Sequence, residues 1–119
     1  MSRHVVYLDR FTIHQDKLDD FRRYASEMVE FVQNKEPETI SFNYYVDEAG
    51  TGGTAVFVFA DADALDRHLD LIAPKFHEAV QLLSANEIEL LGRPSNRAIE
   101  MGKAFGASVK GELLAGFTR

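Results

Sequence analysis

The sequence has no cysteine, no tryptophan and only three prolines in 119 residues. The first absence excludes disulfides, thiolate metal sites and cysteine nucleophiles, and it fits a reducing compartment. An excess of positive charge is missing too. Thirteen Lys and Arg stand against 19 Asp and Glu, a formal charge of −6, so there is no basic footprint for nucleic acid or an anionic membrane. No apolar run approaches the roughly 20 residues that span a bilayer. Met1-Ser2-Arg3-His4 leads straight into a strand-like run instead of the apolar core of a signal peptide. A cytoplasmic protein with no nucleic-acid or membrane partner is expected.

Chemical motifs are scarce as well. The four histidines form no i,i+3 or i,i+4 pair and no acid cluster has metal-ligand spacing, so no metal site is expected. Gly50-Thr51-Gly52-Gly53 lacks the following helix and the Lys-Ser/Thr of a phosphate loop, and reads as a hairpin turn. Ser84, Ser95 and Ser108 have no nucleophile-elbow context.

What is present is a strongly patterned chain, 45% aliphatic and aromatic and of a length that suits a single domain, 1–119, with a small core. Val5 to Ile13 is β-branched and aromatic, a first strand. Asp16 is the expected cap of a helix in which Leu18, Phe21, Ala25, Met28, Val29 and Val32 recur at helical spacing, and Pro37 ends it. Thr39 to Val46 alternates, with Ile40, Phe42, Tyr44 and Val46 on one face and Ser41, Asn43 and Tyr45 on the other. Ala55 to Ala60 has no polar residue and should be covered on both faces. Asp61 or Asp63 starts a second helical region carrying Leu65, His68, Leu69 and Ile72. Pro74 restarts it, with Phe76, Ala79, Val80 and Leu83 facing inward. Asn86 to Gly92 closes the core as a fourth strand.

The order βαββαβ predicts an α+β, ferredoxin-like antiparallel sheet over residues 4–92. Residues 93–119 form a C-terminal αβ extension, entered at Pro94-Ser95-Asn96 and capped at Gly106, with Ser108 to Thr118 as a possible strand. Its apolar residues Leu113, Leu114 and Phe117 are too few to stand alone, so it should dock on the main sheet or on another subunit. With helices on one side only, the other sheet face stays apolar at Val56 and Val58 whichever register holds. A homodimer packed through the sheet faces is therefore expected, each subunit keeping a cavity between sheet and helices.

Several segments together resemble the antibiotic biosynthesis monooxygenase family of dimeric α+β barrels. They are Tyr7 to Ile13, Lys17-Leu18 with Phe21, Glu36-Pro37-Glu38-Thr39 leading into Ser41-Phe42-Asn43-Tyr44, Val56-Phe57-Val58-Phe59, and Ala64-Leu65-x-x-His68 with Pro74-x-Phe76. Lys75 stands where that family places a second histidine. The haem-degrading branch's tryptophan is missing, and Val80 holds the position of its further histidine. The resemblance implies a cofactor-independent monooxygenase acting on an electron-rich aromatic, quinol-like or polyketide-like small molecule, without metal, flavin or haem. In such enzymes an enclosed apolar pocket holds the substrate, a base removes a proton, and the resulting anion donates electrons to O2.

His68 is the candidate base, because it shares a helical face with Leu65, Leu69 and Ile72 and its unperturbed pKa of about 6.5 suits the task. A buried histidine bonded to a backbone carbonyl, to Asn43 or to a tyrosine is the alternative. His77 flanks its stripe and reads as a surface or dimer-rim residue, and His4 and His14 as solvated strand ends. Tyr44, Phe42, Phe57 and Phe76 are the candidate substrate-binding walls, the Tyr44 hydroxyl needing a partner. Arg10 either pairs with an acid such as Asp9 or Glu89 or reaches the ligand. A noncatalytic dimer that binds a small apolar or aromatic molecule, and an isomerase or lyase on the same fold, remain open beside the oxygenase.

Overall fold

Strand β1 (Val5–Ile13) is the axis of the computed structural model, which describes residues 3–119. It pairs antiparallel with β3 (Gly52–Phe59) on one side and with β4 (Leu83–Leu91) on the other. Strand β2 (Thr39–Val46) adds to β3, and a short β5 (Ser108–Lys110) runs parallel to β4, giving the order β2-β3-β1-β4-β5. The first four strands have the ferredoxin-like βαββαβ arrangement, and the extension docks on the main sheet by extending its β4 edge.

Helix α1 (Leu18–Lys35) crosses one face of the sheet and buries Phe21, Tyr24, Met28 and Val32, one turn apart along its apolar stripe. Its start differs from expectation. Asp16 sits at φ 63°, in the left-handed region that aspartate tolerates, and Lys17 precedes the helix with no side-chain cap. Helix α2 (Ala62–Ile72) is capped by Asp61, whose carboxylate accepts from the Ala64 amide at 2.9 Å. A single 3-10 turn at Ala73–Lys75 carries Pro74 and redirects the chain into α3 (Phe76–Leu82). No helix among the described residues is long and apolar enough to cross a membrane.

Strand β4 begins at Leu83 rather than near Asn86, so Leu83 leaves the helix expected to hold it. The cause is β1, nine residues long, whose far end offers unpaired backbone groups to residues 83–85. Asn86 is bulged between the two stretches of pairing, and His14 pins the corner through the Gln81 carbonyl (2.9 Å) and Ser84 Oγ (2.8 Å). His14 is thus a structural staple rather than a solvated end. His77 is exposed, with Nε2 2.9 Å from Gln81 Nε2.

Register decides what each face offers. Toward the helices β1 presents Val5, Tyr7, Asp9, Phe11 and Ile13, and β3 presents Ala55, Phe57 and Phe59. Gly53 permits close pairing there, since a Cβ would lie 2.1 Å from the Tyr45 carbonyl oxygen and 2.8 Å from the Phe11 ring. The outer face carries Val6, Leu8, Val56, Val58 and Leu91, half-buried within one subunit. Helix α4 (Asn96–Ala104), capped by Ser95 Oγ at the Ala98 amide, lies over the open end of the helix layer. Beyond β5 the chain has no regular structure, and Leu114 and Phe117 are 90% and 80% exposed.

Candidate functional site

Between sheet and helices lies a cavity of about 630 Å3 whose wall is overwhelmingly apolar. The floor is the inner face of β1 to β4; α1 to α4 cover it, with Met101 and Phe105 of the extension reaching its edge. Phe105 packs on Phe76 with ring centroids 5.2 Å apart, so the end of the C-terminal helix forms part of the cavity's rim.

His68 lines this cavity and is 3% exposed. Its ring is wedged between Phe42, Phe57 and Phe59, at centroid distances of 5.4, 6.0 and 5.1 Å. The partner is Glu36, a residue the sequence reading left without a role: Nδ1 lies 2.9 Å from both carboxylate oxygens. Glu36 is also 3% exposed and accepts a second bond from Thr39 Oγ1 at 2.9 Å. The carbonyl, Asn43 and tyrosine partners considered for a buried His68 are therefore replaced by a carboxylate. Since a carboxylate only accepts, His68 Nδ1 donates to Glu36, which leaves Nε2 as the ring nitrogen outside this pair. Glu36 stands one residue beyond the end of α1, which explains how a glutamate before a proline reaches the core.

Tyr44, Phe42, Phe57 and Phe76 line the same cavity as His68. Phe42 stacks on Phe57 at 3.7 Å and 12°, and Tyr44 meets both rings edge-on. Phe76 is 44% exposed and belongs to the rim. Arg10 is not brought to this site. Strand alternation turns it to the outer face, where it pairs with Glu87 at 2.8 Å and Glu89 at 3.2 Å. The acid beside it in sequence, Asp9, takes the inward place.

Asp9 was overlooked as a site residue, yet it is the sharpest polar feature of the cavity. Tyr7 donates to its Oδ2 at 3.0 Å, while Oδ1 is the buried side-chain oxygen left without a hydrogen-bond partner among the described residues. Burial pushes the Asp9 carboxyl up from the usual carboxylate range, and the Tyr7 bond only partly opposes this. The same burial, with the Asp9 charge beside it, raises Tyr7 well above the ordinary phenol value. Tyr24 is pushed up to about 12 by burial and by Glu78, and Tyr44 is raised chiefly by burial. The signal was in the alternation Tyr7-x-Asp9-x-Phe11, an acid on a strand face otherwise aromatic.

No lysine or arginine lines the cavity. Among the described residues no group of three His, Asp or Glu side chains is placed to hold a metal ion. The arrangement offers a histidine base oriented by a carboxylate, an acid of raised pKa, and tyrosine hydroxyls, all in an apolar enclosure.

No protein-family model and no curated protein matches the chain. Solved structures do. MupZ from Pseudomonas fluorescens superposes with a TM-score of 0.80 at 27% identity, over 100% of this chain and 91% of that one. SnoaB, a cofactor-independent oxygenase from Streptomyces nogalater, gives 0.67 at 18% identity, over 80% and 97%. A candidate antibiotic biosynthesis monooxygenase from Bacteriodes thetaiotaomicron gives 0.62 at 21% identity, over 74% and 85%. The chain thus has the fold of the antibiotic biosynthesis monooxygenase-like α+β barrels.

Proposed function

We propose that the cavity is the active site of a cofactor-independent oxygenase for an electron-rich aromatic, quinol-like or polyketide-like small molecule. The observation that carries this reading is the buried Glu36–His68 pair, which leaves Nε2 as a base in a cavity of apolar and aromatic walls. In the reaction Nε2 takes a proton from an activated C–H or O–H of the substrate. The anion gives an electron to O2, the two radicals combine to a peroxide on carbon, and the peroxide takes up a proton and loses water. The sum for a benzylic methylene is CH2 + O2 → C=O + H2O. Glu36 is a positioning residue that fixes the tautomer of His68 and balances the imidazolium as it forms.

The outer sheet face supports a homodimer. Val6, Leu8, Val56, Val58 and Leu91 form a continuous apolar surface that helices do not cover, and a second copy would bury it.

An oxygen electrode with anthrone and 1,4-naphthohydroquinone tests the oxygenase. Uptake matched one-to-one by formation of the ketone from anthrone, or of the hydroxylated quinone and water from the hydroquinone with no hydrogen peroxide released, and lost in His68→Ala, supports it. Absence of protein-dependent uptake across such a panel counts against it. A second reading, an isomerase or lyase working by proton transfer without oxygen, is favoured by Asp9, which places an acid in the same cavity as the base. Product formation under argon distinguishes the two.

A further inference from the structure

We propose that Asp9, with Tyr7, Tyr24 and Tyr44 around it, forms an oxygen-recognition subsite in which a protonated Asp9 donates a hydrogen bond to an uncharged carbonyl, ether or hydroxyl oxygen of the ligand. The inference rests on the reading of the cavity as the ligand site and adds to it the chemical class of ligand and a hydrogen-bond donor for its oxygen.

The geometry builds this subsite from three elements. Tyr7 and Asp9 are alternate residues of β1, Tyr44 comes from the inner face of β2, and Tyr24 comes from the buried stripe of α1. Across the sheet, Asp9 is flanked by Ala55 on β3 and Ile88 on β4, neither of which can donate a side-chain hydrogen bond. Tyr7 uses its proton on Oδ2, so Oδ1 is left in an apolar surround. An ionised carboxylate with a bare buried oxygen is costly, whereas a protonated one puts its hydrogen on Oδ1 and becomes a donor. Asp9 is among the residues lining the cavity, and the carboxyl torsion is broad, so rotation about Cβ–Cγ is the movement by which that O–H would meet a ligand.

The charged groups facing the site agree with a neutral ligand. No Lys or Arg lines the cavity to hold an anion or to draw the proton off Asp9. Glu78 on α3 acts on Tyr24, and the Glu36–His68 pair is closed on itself, so the remaining acids add negative field rather than remove it. A carboxylate ligand would meet an apolar wall with an acid in it. A ketone or alcohol would find a donor. Tyr7 and His68 both lie against the Phe57 ring, at 5.4 and 6.0 Å, so the acid's partner and the base border the same wall of the cavity. His68 then takes a proton from the ligand while the Asp9 O–H holds the oxyanion that forms by a hydrogen bond.

The test uses three naphthalenes of similar size with the full chain at pH 7: 2-acetylnaphthalene, 2-isopropylnaphthalene and 2-naphthoate, read by their own fluorescence. The ketone, which can only accept, is expected to bind about tenfold tighter than the hydrocarbon, the gain of roughly one well-made hydrogen bond. The naphthoate should bind more weakly than either. Asp9→Leu should erase the preference of ketone over hydrocarbon, and Asp9→Asn, which keeps a donor, should retain most of it. Equal affinity for ketone and hydrocarbon in the parent, or an unchanged preference in Asp9→Leu, overturns the subsite while leaving the cavity as a binding site. Failure of all three probes to bind overturns the cavity reading as well. If Asp9→Leu does not fold, 13C NMR of the Asp9 carboxyl decides: a protonated shift at pH 6 supports the subsite and an ionised one refutes it.

Discussion

Removing one partner of the buried pair tests the architecture of the site most directly. In Glu36→Ala, His68 keeps its place among three rings but loses the carboxylate at 2.9 Å, and Thr39 Oγ1 loses its acceptor. The side chains of the pair are 4% and 2% exposed, so water cannot take over either role. Leaving a buried donor without its acceptor costs about 1–3 kcal/mol. With an unfolding entropy near 2.1 cal/mol/K per residue, a chain of this length loses about 4 °C per kcal/mol, so the melting temperature should fall by roughly 4–12 °C. Urea unfolding gives the free energy directly through the midpoint and slope. The double replacement Glu36→Leu with His68→Phe should recover most of the loss, because it removes both polar groups instead of orphaning one. Glu36→Gln separates positioning from stability: it should cost only about 1 kcal/mol, yet lower kcat at least tenfold with little change in KM and alter the pH profile. A loss below about 1 kcal/mol in Glu36→Ala, or additive single mutants, would refute the account of a closed buried pair.

Further outcomes follow from other elements. Asp9 has a raised folded-state pKa, so the folded state holds its proton to higher pH than the unfolded chain, whose value is about 3.9. Its favourable contribution is complete below that value and is lost as pH rises through the folded pKa. Asp9→Asn should therefore melt higher than the parent at pH 7.5, with the gap closing toward pH 4; a constant gap would contradict the assignment. Asp61→Ala removes the cap bond to the Ala64 amide and should cost about 1 kcal/mol by urea unfolding. Val58→Glu puts a charge in the centre of the outer face, paired across to Val6, and should convert a sedimenting dimer into the 13.4 kDa chain while the far-UV spectrum is preserved. Unchanged sedimentation would remove that face as the interface.

The fold was legible because its signals are local and repeated. Period-two alternation in residues 39–46, the unbroken apolar run at 55–60 and helical spacing from Leu18 to Val32 each marked an element, although Val29, Ile40 and Val46, expected on the apolar faces, are exposed. Boundaries were less legible where two elements compete for the same residues: Leu83 could extend a helix or start a strand, and the length of β1 decided it. In the site, His68 and the aromatic walls announce themselves by sitting on apolar faces. Glu36 does not, because its burial depends on where α1 ends relative to α2, a relation between segments 32 residues apart. Asp9 was readable in principle, but Arg10 beside it drew the interpretation toward a surface pair. The pair exists, and it is Arg10 with Glu87 and Glu89.

That alternation along β1 has a consequence for how such a barrel acquires chemistry. On the outer side, Arg10 and its glutamates stay in water, where an ion pair contributes little to stability. On the inner side, the same strand carries an acid whose unpartnered oxygen works against folding, held in place by Tyr7 and by the Tyr7–Phe57 stack. The sheet can hold this because its other inward positions, Val5, Phe11, Phe57 and Phe59, are nearly fully buried. Each fully buried side chain of this kind contributes on the order of 1.5–3 kcal/mol relative to exposure. A binding group is thus added by replacing one inward residue of an otherwise apolar strand, with no change in register or connection. Under the proposed function the reaction is set by single inward positions like 9 and 68, which explains why the fold is recognisable from pattern while the chemistry must be argued residue by residue.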